Sequence, residues 1–152
     1  MRHLALLLLL TLAACSGDKA PAPAKAHATA TSTVTVGGAT LQTSTVPLAD
    51  LNQTVATRYG IDRTREGLML LVTVRDPAGN GIDPGDLQLT ATASVLPDAA
   101  KPLELRAIQT DGLTDYLGVV HAKAPATIVL NLTAARGGSR IDMATTAELQ
   151  PR

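Results

Sequence analysis

The sequence predicts an all-β protein, an antiparallel immunoglobulin-like β-sandwich of about seven strands with one short helix. Three observations indicate it. Short apolar or alternating runs recur about every 8–12 residues, Gly, Pro and Asp turns separate them, and the folded part has the size of an immunoglobulin-like domain. Alternating β and α units, which would predict a parallel sheet, do not occur in this pattern.

Strand-like runs, separated by turn residues, follow one another along the chain. The run at residues 67–74, GLMLLVTV, is almost wholly apolar, so we expect a central strand covered on both faces or flanked by the helix. The other predicted strands are TVTV, ATLQTSTV, DLQLTATASVL, PLELRAI, DYLGVVHA, TIVLNLTAA and SRIDMATTAEL. In PLELRAI, the alternation is expected to place Leu103, Leu105 and Ala107 opposite Glu104, Arg106 and Ile108.

The helix is predicted within ADLNQTVATRYG. Asp50 or Asn52 can cap its first turn, and Gly60 can end it. Leu51, Val55 and Tyr59 share one face.

The N-terminus reads as an export signal. Arg2 and His3 precede ten residues of Leu, Ala and Thr, which are too short to span a bilayer as a helix. We therefore assign residues 1–14 to a signal peptide. Residues 15–32, rich in Ala, Pro, Thr and Lys, form a lipidated N-terminus and flexible tether, and residues 33–152 form the β-sandwich domain.

Leu12-Ala13-Ala14-Cys15 resembles the lipobox of bacterial lipoproteins. The resemblance implies lipidation at Cys15, with acyl chains such as palmitate that anchor the protein in a membrane of the cell envelope. Ser16 follows the cysteine, which by the enterobacterial sorting rule favours the outer membrane, facing the periplasm. An ordinary signal peptide with a cysteine near its cleavage site is the alternative.

Composition excludes several partner classes. Thirteen basic and thirteen acidic side chains leave no net charge, so the clustered basic footprint of a nucleic-acid-binding protein is not expected. Phe and Trp are absent, and Tyr59 and Tyr116 are the only aromatic residues, which argues against a platform for stacking bases.

The order VATRYGIDRTREGLMLLVTVRD, LTATAS, LELRAI and DYLGVV resembles an uncharacterised family of exported proteins of Gram-negative bacteria, domain-of-unknown-function family 4426. The resemblance covers about residues 33–149. It implies an immunoglobulin-like β-sandwich and no particular activity. The matching positions are Tyr59, Gly60, Ile61, Arg63, Leu89, Ala91, Ala93, Leu103, Leu105, Arg106, Ile108 and Tyr116.

The densest group of functional side chains follows the helix. We treat it as a candidate binding surface, because a charged loop on a rigid scaffold is a common recognition site. The alternative is a structural one, in which Tyr59 packs on the sandwich and the charges pair in solvent. The members are Arg58, Tyr59, Asp62, Arg63, Arg65 and Glu66.

The remaining candidates do not predict a catalytic residue, a metal site or a cofactor. The loop RDPAGNGIDPGD offers Asp76, Asn80, Asp83 and Asp86, but the spacing fails the EF-hand pattern, so we predict a long hairpin loop. His121 lacks the second histidine or cysteine of a zinc site. Ser94 lacks a Gly-x-Ser-x-Gly context.

The expected function is therefore a non-enzymatic protein-binding or accessory module of the envelope. Two alternatives stay open. One is an enzyme inhibitor or an enzyme whose site is assembled from distant residues, which a concave pocket holding His121 with an acidic partner would favour. The other is a carrier of a small apolar ligand, which an internal cavity would favour.

Overall fold

The computed structural model describes residues 31–152, which form nine strands, a 3₁₀ helix at Leu48–Asp50 and one α-helix. The predicted all-β class with one short helix is confirmed, with two strands more than the expected seven. The elements are β1 (Thr31–Val36), β2 (Ala39–Pro47), α1 (Gln53–Tyr59), β3 (Gly67–Arg75), β4 (Gln88–Val95), β5 (Lys101–Leu103), β6 (Arg106–Thr110), β7 (Leu113–His121), β8 (Ala126–Arg136) and β9 (Ser139–Leu149).

The strands form two antiparallel sheets. Sheet A has the order β1-β2-β3-β7-β6, and sheet B has the order β5-β4-β8-β9. In β2-β3-β7-β6 and β4-β8-β9 this is the A-B-E-D and C-F-G arrangement of an immunoglobulin sandwich, with β5 as an extra strand beside β4. β1 is added beside β2.

Alternating aliphatic side chains of both sheets form the core. Leu68, Leu70 and Val72 of β3 are almost fully buried, as are Ile128 and Leu130 of β8. The opposite face of β3 is also covered, because Met69 packs in a second cluster with Leu48, Leu51, Ala56 and Leu117. This double covering explains the continuous apolar run and confirms the prediction for residues 67–74.

The prediction of one strand at PLELRAI is wrong. β5 pairs with β4 in sheet B, whereas β6 pairs with β7 in sheet A, so Glu104 and Leu105 cross between the sheets. The crossing breaks the alternation, and Ile108 packs on the helix-side cluster while Ala107 is exposed. Gly118 makes room for the crossing, because a Cβ there would lie 3.0 Å from Leu103.

The connection between β3 and β4 is a crossover between sheets and not the predicted hairpin. The Asp76 carboxylate stabilises a turn within this connection by accepting from the amides of Ala78 and Asn80 at 2.9 and 2.8 Å. Arg136 fastens the loop to β8 by donating to the carbonyl oxygen of Pro84 at 3.1 Å. Within residues 31–152 no group of three potential ligand side chains could hold a metal ion.

β1 begins at Thr31, two residues before the predicted domain start. The predictions of a signal peptide, of lipidation at Cys15 and of most of the tether concern residues outside the described part of the chain. In the described part, no helix has the length and apolarity needed to cross a bilayer.

Candidate functional site

Local hydrogen bonds define the helix that precedes the site. The Asn52 side chain caps α1 by accepting from the Thr54 amide at 2.7 Å. At the other end Gly60 adopts a φ of +65°, and the Ile61 amide donates to the Ala56 carbonyl at 2.8 Å. This is a glycine-terminated Schellman ending. The predicted helix is confirmed, and Asn52 rather than Asp50 is its cap.

Arg63 ties the segment after the helix back onto it. Its guanidinium donates to Gln53 Oε1 at 2.9 Å and to the Ala49 carbonyl at 3.1 Å. The side chain is therefore directed at α1 and at the 3₁₀ helix, and it holds the loop in place.

An open groove of about 390 Å³ lies on the outer face of sheet A, beside this loop. Leu117 and Val119 of β7 supply apolar surface. The loop after α1 and the crossing between β5 and β6 form the other walls of the groove. The groove is lined by Gly60, Ile61, Asp62, Arg65, Leu103, Glu104, Arg106, Leu117, Val119 and His121.

A hydrogen bond connects two sides of the groove. The Arg106 guanidinium donates to the carbonyl oxygen of Tyr59, the last residue of α1. Because Tyr59 also packs in the helix-side cluster, the helix end and the crossing strand are held together. The groove is thus bounded by elements that are fixed by packing and hydrogen bonds.

The charges around the groove are of both signs. Asp62 accepts from the hydroxyl and the amide of Thr64 at 2.6 and 2.9 Å, and these bonds, the hydroxyl first, lower the pKa of its carboxyl group. The positive charges of Arg65 and His121 act in the same direction. Asp62 is therefore ionised at neutral pH.

The family of the chain follows from its sequence. The family model described as Domain of unknown function (DUF4426) matches residues 33–149. The chain belongs to this DUF4426 family. The family resemblance seen in the sequence is confirmed.

Two solved structures share the fold of this DUF4426 domain. A DUF4426 family protein from Pseudomonas aeruginosa PAO1 is 19% identical, with a TM-score of 0.62 over 80% of this chain and 96% of that one. FetP of uropathogenic E. coli strain F11, recombinantly expressed in the periplasm of E. coli, is 11% identical, with a TM-score of 0.55 over 81% and 95%. No curated protein matches the sequence.

Of the six predicted surface residues, only Asp62 and Arg65 line the groove of the DUF4426 domain. Tyr59 is half-buried, Arg63 holds the loop, and Arg58 is exposed outside the groove. Glu66 lines a separate pocket of about 150 Å³ near the C-terminus. The charges do not pair in solvent as the structural alternative assumed, because no ion pair within 4.0 Å involves them in the part of the chain described here.

Eight of the ten groove residues were absent from the predicted surface, among them the charged or titratable Glu104, Arg106 and His121. Glu104 and Arg106 come from the crossing between the sheets, about forty residues after the loop. The sequence offered one signal for them, their expected position opposite Leu103 and Leu105. His121 was considered alone, because its neighbours in the groove are distant in sequence.

His121 does share the groove with an acidic residue, the arrangement that would favour an enzyme. The two side chains are not in contact, however: no hydrogen bond and no ion pair within 4.0 Å joins His121 to Asp62 in the described structure. The Ser94 hydroxyl donates to the backbone oxygen of Asp98, away from the groove. Among the described residues that line the groove, no serine, threonine or cysteine accompanies His121.

Proposed function

We propose that this protein is a lipid-anchored, non-enzymatic envelope module that docks a protein partner in the groove beside Arg65. The observation that carries the proposal is the groove itself, a concavity with apolar residues of β7 and charged side chains of both signs. Arg65, Glu104, Arg106 and His121 have no ion-pair partner within 4.0 Å in the described residues.

Such a surface suits a protein partner. Apolar area in the centre of an interface contributes burial, while charged groups at its edge select a partner with complementary charges. Mixed signs argue against a nucleic acid, which would need a basic stripe. The hydrogen bond from Arg106 to Tyr59 holds the start of β6 against the end of α1. Because this part of the groove is already ordered, less conformational entropy is lost when a partner docks.

The anchor rests on the sequence that precedes the domain. Leu12-Ala13-Ala14-Cys15 supports lipidation of Cys15, and Ser16 supports the outer membrane, with the domain on the periplasmic side. That FetP, which shares the fold, was produced in the periplasm supports an envelope location. Two or more acyl chains would give stable anchoring where one would not.

Site-specific photocrosslinking tests the docking surface. A photoreactive amino acid replaces Glu104 in the full chain produced in its native bacterium. We expect one defined partner protein to crosslink, and Arg65→Glu to lower its yield at least fivefold. Arg58→Glu is the matched control, since Arg58 is an exposed arginine of the same segment outside the groove.

An equal yield for the Arg65→Glu and Arg58→Glu chains would overturn the groove as the docking site. Absence of any specific crosslink would do the same. An enzyme or enzyme inhibitor would then become the leading alternative.

A further inference from the structure

The crossing between β5 and β6 leaves the end of β7 without a neighbouring strand on one side. β3 pairs with β7 from Asp115 to His121, whereas β6 pairs with it only from Leu113 to Leu117. Beyond Leu117, the chain that would continue this pairing has turned towards sheet B, where β5 pairs with β4. Among residues 31–152, the last part of β7 therefore has a strand on the β3 side alone.

The open side of β7 carries the backbone groups of Val119 and His121. Asp111 and Gly112, with φ of +52° and +78°, form the two-residue turn between β6 and β7. In such a hairpin the two residues that flank the turn exchange backbone hydrogen bonds. Alternate residues from Leu113 onward, ending with Val119 and His121, therefore direct their N–H and C=O groups towards the β6 side. The residues between them direct theirs to β3.

These backbone groups have no strand to pair with on that side. The pairing with β6 stops at Leu117, and in the described part of the chain no backbone hydrogen bond from a turn or loop reaches Val119 or His121. Each of the two residues offers one donor and one acceptor. Unpaired N–H and C=O groups at the edge of a sheet are a template for a further strand.

The same two residues line the docking groove, so the open edge and the groove form one surface. Val119 is half-buried in the helix-side cluster with Leu117, and a side chain opposite it on an added strand would lie on the same face. At the other residue, Arg65 and His121 provide two basic groups against the one carboxylate of Asp62, on which both positive charges act. An acidic side chain opposite His121 would complement this excess.

We propose that the protein partner docks by strand addition: an extended segment of it lies beside residues 119–121, antiparallel to β7 and in line with β6. The segment carries an aliphatic residue opposite Val119 and an acidic residue opposite His121. This inference rests on the proposed function, because it names the form of the partner at the same groove. A docked helix would leave the backbone groups of Val119 and His121 unpaired.

Removal of one backbone donor tests strand addition. In the crosslinking experiment with the photoreactive residue at Glu104, His121→Pro and His121→Ala both remove the imidazole, but only proline also removes the N–H. His121 is the last residue of β7 and its N–H faces away from β3, a position at which a sheet tolerates proline. We expect the yield for His121→Pro to be about fivefold to tenfold below that for His121→Ala, because one backbone hydrogen bond is lost.

A second measurement does not depend on the proline variant. A small diazirine-bearing amino acid is placed at Val119 or at His121, and the crosslinked residues of the partner are identified by mass spectrometry. Antiparallel addition predicts partner residues about two positions apart in one segment, with the residue reached from His121 nearer the N-terminus. The opposite order, or residues from separate segments, would overturn the proposal.

The outcomes separate strand addition from the proposed function. If Arg65→Glu lowers the yield while His121→Pro and His121→Ala give equal yields, the groove is the docking site and strand addition is wrong. If no partner crosslinks at all, both proposals are wrong.

Discussion

Arg58, Arg63 and Arg65 lie within eight positions of each other and make different contacts. Arg63 is half-buried against α1, Arg65 lines the groove, and Arg58 is exposed. The sequence identified this segment as charged and surface-placed, but it could not assign the three roles. The role of Arg63 depends on the Ala49 carbonyl, and that of Arg65 depends on strands far along the chain. No local sequence pattern reveals these contacts.

Arg63→Ala should lower the free energy of unfolding by about 1–2 kcal/mol, because a charged donor to α1 and to the Ala49 carbonyl is lost. Urea denaturation measures the change. Arg58→Ala, the control in the same segment, should stay within about 0.5 kcal/mol of the parent. Equal effects of the two substitutions would contradict the structural role of Arg63.

Asp76 should contribute to acid sensitivity. Hydrogen bonds from the Asn80 side chain and amide lower the pKa of its carboxyl group in the folded protein below its usual value near 4. Its stabilising contribution is therefore complete above pH ~4 and is lost as the pH falls through the folded pKa.

In melting experiments between pH 2 and 5, Asp76→Asn should make the decline of Tm with falling pH less steep than in the parent. Asp98→Asn is the control, since that exposed carboxylate accepts no hydrogen bond among the described residues. A parent-like slope for Asp76→Asn would show that Asp76 does not contribute.

At the scale of elements, the helix and most strands were predictable because their signals are local. Asn52 and Gly60 mark the helix ends, and Leu87, Leu89 and Ala91 show the alternation of a half-buried strand. The division of PLELRAI was not predictable, because the alternation continues up to the point where the chain changes sheets. The pairing of β5 with β4 and of β6 with β7 depends on the tertiary structure.

The β1–β2 turn provides a test of packing between elements. Gly37 and Gly38 both have positive φ, +51° and +77°, so alanine is strained at either position by about 1–2 kcal/mol. Only at Gly37 would a Cβ overlap the backbone carbonyl of Arg136 in β8, whereas at Gly38 the nearest atom is 3.9 Å away.

Gly37→Ala should therefore destabilise the domain by about 1–3 kcal/mol more than Gly38→Ala. Thermal and urea unfolding of the two variants give the comparison. Similar losses would mean that the turn does not lie against β8 as described.

At the scale of the whole molecule, an immunoglobulin-like sandwich is built almost entirely from aliphatic side chains. The sequence predicted this architecture, because strand spacing and turn residues are repeated signals along the whole chain. It could not predict the groove. The groove depends on where β5 and β6 cross, which brings residues 60–65, 103–106 and 117–121 together.

The proposed role further requires that this sandwich is held at a membrane through Cys15. Metabolic labelling with a radioactive or alkyne-modified fatty acid, followed by membrane fractionation, tests this claim most directly. We expect the parent chain to be labelled and membrane-bound, and the Cys15→Ser chain to be unlabelled and absent from the washed membrane fraction. A Cys15→Ser chain that is still labelled, or a parent chain recovered in the soluble fraction with a free thiol, would contradict the account.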